Sequence, residues 1–448
     1  MQNLLPTIPA GFYICYVCKR RMKAKRSKSL SPEPSSSNEW KRPKIDESCE
    51  KNGKEIYPNL LDLSDDVLLN IMKFLHPQDL MALSLCCQRL NQVSRDRTLW
   101  RKVDFRVMPM MVEDLEKYVH FLQPLTTSLA MRGSRPLEKH GTLSKLFLKV
   151  IAKVCSQLKE LIVEDYYIDA NKIQIIDFPE TVEKLSLKGC KLCHIQIDRS
   201  YFFTMDLHMR SLTCLILSNC QWFMPHSLLV ISKIRNLKEL RLDSCHSLGE
   251  CVAYTSLATR FGFKTLEILD LRDTALGDSE ICCFSSTKTL THLYLECPAV
   301  LVNTESNNHL EQQQLLDRPG RRRAFEDQNL VQIIIEHGFE NNSERCLISD
   351  RAICALGSYA CDRRVVDNSV PGGILVEEDR RIFNNPNLKT LVVRNYPLVT
   401  NQSLVHLALN ASNLEFLDVT GTAVTKAGVQ TFKGKRPNVK LISSFDET

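Results

Sequence analysis

From Leu158 to Thr422 the chain keeps returning to one short pattern, Leu-x-x-Leu-x-Leu, and this repetition limits the fold more than any other feature. The aligned lines are Leu158/Leu161/Val163, Val182/Leu185/Leu187/Cys190, Leu212/Leu215/Leu217/Cys220, Leu237/Leu240/Leu242/Cys245, Leu266/Leu269/Leu271/Thr274, Leu290/Leu293/Leu295, Leu388/Leu391/Val393/Tyr396 and Leu414/Leu417/Val419/Thr422. Their starts are separated by 24, 30, 25, 29 and 24 residues, then by 98 and 26. Periods in the twenties mark stacked supersecondary units. The Leu-x-Leu run reads as a short strand, because alternate side chains share a face. The residue eight places after the first leucine then caps the turn, where a cysteine bonds backbone or fills a tight space. Each unit returns as a helix, seen best in VTNQSLVHLALNA and AVTKAGVQTF. One unit cannot bury its own apolar side, so stability has to come from stacking. An earlier degenerate unit is expected at Leu129 and Met131.

The step of 98 residues is too long for one unit. Within it ISDRAICALGSYA (348–360) reads as a helical half. The stretches 303–329 and 362–386 are polar, charged and broken by Gly and Pro. They are expected to be mobile insertions, serving either as ligand-contacting loops or as tolerated surface additions.

Composition narrows the function classes. The net charge of +6 sits entirely in residues 1–56, which hold 12 Lys/Arg and 6 Asp/Glu. The remainder is neutral, which argues against a nucleic-acid groove. No run of about 18 apolar residues occurs, so no membrane span is expected. Eighteen cysteines without a secretory signal are expected to be mostly reduced, buried small apolar residues. Residues 1–56 read as a disordered basic tail, too poor in branched apolar residues to offset chain entropy. Its two clusters, Lys19–Arg26 and Lys41–Lys44, read either as a nuclear-import signal or as a solvated tail, in a cytoplasmic and/or nuclear protein.

Residues 60–105 have a different character from the repeats. Ser64 with Asp65 and Asp66 predicts a capped helix start. Leu68, Ile71, Met72 and Leu75 continue at helical spacing. Pro77 opens a second helix with the stripe Leu80, Leu83, Cys87 and Leu90. A third short helix is expected near Asn91–Trp100. Three helices this short make a small core that leans on a partner. Trp100 reads as a pin between this head and the first repeat.

The positions of Leu63, Val67, Leu68, Ile71, Leu75, Asp79, Leu80, Leu83, Cys87, Leu99 and Trp100 resemble an F-box. Ser64, Cys86 and Leu90 stand where that family more often has Pro, Val and Trp. The repeats downstream are similar to leucine-rich repeats of the cysteine type. The combined resemblance, to the F-box/leucine-rich-repeat family, covers nearly all of residues 60–445. It implies an α/β solenoid (a curved parallel sheet with outer helices over 106–448) preceded by a three-helix F-box at 60–105.

The resemblance further implies a non-catalytic substrate receptor of an SCF-type ubiquitin ligase. The head would dock a Skp-type adaptor through Leu63, Val67, Leu68, Ile71, Leu75, Asp79, Leu80 and Leu83, although about half of these have the alternative role of filling the head's own core. The adaptor would connect the chain to a cullin and a RING subunit. The repeats would hold a protein substrate, raising the local concentration of its lysines near the ubiquitin thioester. Strand positions facing the concave side, Arg241, Asp243, Asp270, Arg272, Tyr294, Glu296 and Arg394 among them, are candidates for substrate contact, and the three arginines suit an acidic or phosphorylated motif. A plain solvated sheet face is the competing reading. A repeat-built scaffold independent of the ligase remains an alternative, as does a lone cysteine-dependent ligase. No cofactor or metal is expected: Cys15-x-x-Cys18 lacks a second pair, and Cys190-x-x-Cys193 falls in a repeat turn.

Overall fold

A computed structural model describes residues 60–133, 142–195, 199–249, 251–299, 301, 348–367 and 374–446, with backbone alone over 358–367 and 374–384. The basic tail with both its clusters and the 303–329 insertion lie outside these residues.

Eleven parallel strands among the described residues form one sheet in chain order. They are Lys102–Asp104, Ser128–Arg132, Glu160–Glu164, Lys184–Ser186, Cys214–Ile216, Glu239–Arg241, Ile268–Asp270, His292–Glu296, Thr390–Arg394, Phe416–Asp418 and Lys440–Ile442. Their register aligns Val103, Leu129, Leu161, Leu185, Leu215, Leu240, Leu269, Leu293, Leu391, Leu417 and Leu441 side by side. All are buried. The middle leucine of every repeat line read from the sequence lies in this one row. Neighbouring strands sit about 4.8 Å apart, so like side chains stack and each coil covers the apolar edge of the next.

The main sheet runs unbroken across the 98-residue step. Leu293 pairs directly with Leu391, so no further main-sheet strand lies between them. The helix Asp350–Cys354 packs between helices Asp278–Phe284 and Asn401–Asn410; the helical half expected at 348–360 is thus present but shorter, since a strand begins at Gly357. Downstream, Gly357–Asp367 and Ile374–Asn384 pair as an antiparallel ribbon. This ribbon occupies much of the stretch read from the sequence as the 362–386 insertion. Both arms pair their backbone groups over eleven residues, and valines and isoleucines near the arm ends favour strands despite the intervening charges.

A hydrogen-bond relay fixes the spacing of these helices. The Asp278 carboxylate accepts from the Ser349 backbone N–H at 2.7 Å and from its hydroxyl at 2.5 Å. Asp350 accepts from the Thr400 N–H at 2.8 Å, the Thr400 hydroxyl at 2.5 Å and the Ser403 N–H at 3.2 Å. Asn401 Oδ1 then accepts from the Thr425 N–H at 2.9 Å. In each case the first helical residue of one coil satisfies the N-terminal region of the next helix, where orphan N–H groups need acceptors.

The turns after the strands repeat as well. Asp165, Gly189, Asn219, Ser244, Asp273, Asn395 and Gly421 all have positive φ, a conformation that Gly, Asn and Asp tolerate best. Immediately after three of these turns come the capping cysteines. The thiols of Cys190, Cys220 and Cys245 donate to the carbonyls of Val163, Leu187 and Leu217 at 3.3, 3.1 and 3.1 Å. Burial pushes the Cys190 and Cys245 thiols up to about 12, which keeps them protonated. The cysteines whose side chains are described are all free thiols.

The head consists of helices Asp65–Met72, Pro77–Ser84 and Gln88–Ser94. The third begins earlier than Asn91, with the Cys87 sulfur accepting from the Leu90 N–H. Ser64 is the N-cap residue of the first helix but makes no side-chain cap bond. Instead Arg89 reaches from the third helix to Asp65 at 2.8 Å and to the carbonyls of Leu61 and Leu63. Trp100 joins head to repeats as expected: its ring stacks on Phe121 at 4.5 Å, and Thr126 in the first coil donates to its carbonyl at 2.8 Å.

Candidate functional site

Two surfaces gather the residues singled out from the sequence. The first is the head. Its opening helix is apolar around much of its circumference, and packing divides that arc in two. Leu68 and Met72 turn inward, with Leu68 only 1% exposed, and half-buried Leu75 extends their row. Val67 and Ile71 are each 42% exposed, and Phe74, one turn further on, is 88% exposed. Val67 and Ile71 lie one turn apart on the helix, and Phe74 follows in the turn just past its C-cap, Lys73. Leu60, Leu61 and Leu85 add further exposed apolar surface on the head.

The expected adaptor residues therefore separate by environment. Val67, Ile71 and Asp79 face solvent. Leu63, Leu75 and Leu83 are half-buried and pack against the core. Leu68 and Leu80 are core residues: the head is too small to spare them, so they support the surface from beneath. Leu60, Leu61, Phe74 and Leu85 are exposed apolar residues of the head that sequence reasoning passed over, Phe74 the most exposed. The i+7 spacing of Phe74 from Val67 was the available signal, hidden beside the equally regular Leu68–Met72–Leu75 row.

The second surface is the open face of the main sheet. Between the buried leucines the strands place Ala130, Ile162, Ser186, Ile216, Arg241, Asp270, Tyr294, Val392, Asp418 and Ile442 in one row. The row is mainly apolar up to Ile216, and from Arg241 onward Arg241, Asp270, Tyr294 and Asp418 are interspersed with Val392 and Ile442. Each arginine expected to anchor a substrate already has a carboxylate. Arg241 Nε lies 2.5 Å from Glu239. Arg272 grips both oxygens of Asp270, at 2.9 and 2.6 Å, and its guanidinium lies 5.7 Å from the centre of the Tyr294 ring. Arg394 donates twice to one oxygen of Asp418, at 2.8 and 2.6 Å.

These pairs change the electrostatics of the face. Asp270 is buried, so it positions Arg272 and offers no accessible carboxylate of its own. Hydrogen bonding to Asp270 raises Arg272 above its ordinary value and keeps it charged. Asp418 is fully buried. Burial works to raise its carboxyl, but hydrogen bonds from Thr420 and Arg394 outweigh it and hold it below the ordinary carboxylate range. Asp243 accepts from the Ser218 hydroxyl at 2.6 Å. Glu296 faces Asn395 at 3.4 Å. Asp243, Arg272, Glu296 and Asn395 share a notch of about 360 Å³ at the edge of the face. Tyr294, half-buried beside Arg272, has His292 stacked 6.4 Å away. The arrangement suits recognition by shape and paired charges; its guanidinium charges are already compensated.

A family model described as F-box-like matches residues 61–106. Human F-box/LRR-repeat protein 12 is 25% identical over 228 residues, covering 50% of this chain and 68% of that protein. The 2-C-methyl-D-erythritol 4-phosphate cytidylyltransferase of Neisseria meningitidis serogroup A is 29% identical over 140 residues, covering 28% of this chain and 61% of the enzyme, so the chain spans less than two thirds of that enzyme. A chain in the crystal structure of the Rad7 and Elc1 complex in yeast aligns over 85% of this chain and 88% of its own length, at 15% identity and a TM-score of 0.36, an overlay too loose to support a comparison of sites.

Proposed function

From the premise that this chain is an F-box/leucine-rich-repeat protein, we propose that it is the substrate-receptor subunit of an SCF-type ubiquitin ligase. The observation that carries the reading is the exposed Val67–Ile71–Phe74 row on a head matched as F-box-like. A three-helix head displaying an uncovered phenylalanine gains by placing it in a partner's pocket, and aromatic anchors of that kind dominate interface energies. The partner is a Skp-type adaptor, which connects the chain to a cullin and a RING subunit. The open sheet face around Arg241, Arg272, Tyr294 and Arg394 holds the protein substrate. Because those arginines carry their own carboxylates, an acidic motif would have to displace an existing ion pair. The face therefore favours a substrate of mixed charge with an apolar or aromatic anchor against Tyr294.

In this reading the chain contributes no nucleophile, acid or base. It holds a substrate lysine near the conjugating enzyme's thioester, and the rate gain comes from effective concentration. The basic clusters of the tail direct it to the nucleus. The test is co-purification of the full chain with a Skp-type adaptor. Ile71→Asp with Phe74→Asp is expected to abolish recovery of adaptor and cullin while leaving a folded protein. Undiminished recovery would remove the basis for the proposal.

A further inference from the structure

We propose that Asp169, Cys193 and His194 form a binding site for one divalent transition-metal ion, with Zn²⁺ the ion that their donor set fits. The three residues lie on and beside a second, two-stranded parallel sheet made by Tyr167–Asp169 and Lys191–Cys193. The register of those strands places Asp169 directly beside Cys193. His194 follows with φ of 58°, a left-handed backbone that non-glycine residues adopt sparingly. With that turn its Nδ1 lies 3.0 Å from Asp169 Oδ1. One donor atom from each residue lies within 4.8 Å of the other two.

Imidazole, thiolate and carboxylate are the ligand types of zinc sites, and bonds of about 2.0–2.3 Å in a tetrahedron put neighbouring donors roughly 3.3–3.6 Å apart. Small side-chain rotations bring the three atoms to that spacing. The carboxylate is already oriented for the task. Lys172 holds Oδ2 at 3.2 Å, and the Asn171 N–H approaches Oδ1 at 3.1 Å. Lys172 pairs with Oδ2, which leaves Oδ1, the oxygen beside His194, to bind the ion. The Cys193 sulfur lies 3.5 Å from the Ile168 carbonyl.

Cys193 differs from the capping cysteines. Cys190, Cys220 and Cys245 are sealed inside the coils, whereas Cys193 is half-buried. His194 also lines a cleft of about 420 Å³ with Asn171, Gln174, Arg199 and Tyr201. The cleft leaves room for a water molecule or a partner's donor as fourth ligand. On binding, the Asp169–His194 hydrogen bond is replaced by two metal bonds, and the Cys193 thiol releases its proton to solvent. The ion would then tie two successive coils together. Sequence spacing hid the site because Asp169 precedes Cys193 by a whole repeat.

The experiment is a Co²⁺ titration of the full chain with Cys15 and Cys18 replaced by serine, which removes the tail's paired thiols. The expected result is one equivalent bound, a thiolate-to-cobalt charge-transfer absorption in the near ultraviolet, and its displacement by Zn²⁺. Cys193→Ser abolishes the absorption, His194→Ala weakens it, and Cys86→Ser on the exposed head leaves it unchanged. Zn²⁺, and not Mg²⁺, also raises the melting temperature of the parent, and that shift is lost in Cys193→Ser. No cobalt absorption in the parent, or the same absorption in Cys193→Ser, overturns the proposal. Should Cys193→Ser fail to fold by circular dichroism, an unaltered spectrum in His194→Ala overturns it equally.

Discussion

Phe74 and Leu68 stand six residues apart on the same head and should respond in opposite ways to truncation. Leu68 is 1% exposed, and replacing such a leucine by alanine leaves a cavity. The expected cost is about 2–5 kcal/mol of folding stability. Phe74 is 88% exposed in the free chain, so Phe74→Ala removes almost no packing. Its effect on folding should stay within about 0.5 kcal/mol. If Phe74 is the anchor for the adaptor, losing an aromatic hot spot of this kind costs about 2–4 kcal/mol of binding. That corresponds to a loss of roughly 30- to 1,000-fold in affinity. Thermal denaturation of both variants, with surface-plasmon measurement of Skp-type adaptor binding, separates the two effects. Adaptor affinity unchanged within about twofold in Phe74→Ala, or a fall in melting temperature as large as that of Leu68→Ala, would refute the assignment of the two rows.

Three further outcomes are expected. Asp350→Ala removes the acceptor for both Thr400 donors and for Ser403, and chemical denaturation should show a loss of about 2–4 kcal/mol. An unchanged midpoint would mean that the relay between helices is incidental. Replacing residues 302–347 by a short Gly/Ser linker should leave the melting temperature within a few degrees, because Leu293 and Leu391 already pair across that step; collapse of the transition would show that the segment is part of the core. Asp418 titrates below the ordinary carboxylate value of about 3.9. Its charged form therefore contributes stability that is complete at neutral pH and is lost as pH falls through the folded-state value. The advantage of the native chain over Asp418→Asn should be full at pH 7 and should shrink below about pH 4, as followed by thermal melts. An advantage independent of pH would contradict the Arg394–Asp418 assignment.

Much of the scaffold was readable because its physics is periodic. Stacked coils demand the same residue class at the same place in each repeat, so Leu161, Leu185, Leu215, Leu240, Leu269, Leu293, Leu391 and Leu417 announce their row in the chain itself. The capping cysteines recur for the same reason. What depended on contacts between coils left no such mark. The Asp278–Ser349 and Asp350–Thr400 bonds join residues 71 and 50 positions apart. Neither spacing is a repeat period, because the long excursion intervenes.

The sequence by itself determined the architecture and the kind of head that precedes it, since both are written as patterns of apolar spacing that only one stacking can satisfy. It could not assign sides. Val67, Ile71 and Phe74 look as apolar as Leu68, Met72 and Leu75, and only packing against Leu80, Leu90 and Val93 decides which row is consumed and which is left for a partner. Likewise Arg241, Arg272 and Arg394 read as free cations until the sheet sets each beside its carboxylate. Burial and charge compensation belong to neighbours in space, and those neighbours exist only once the coils are stacked.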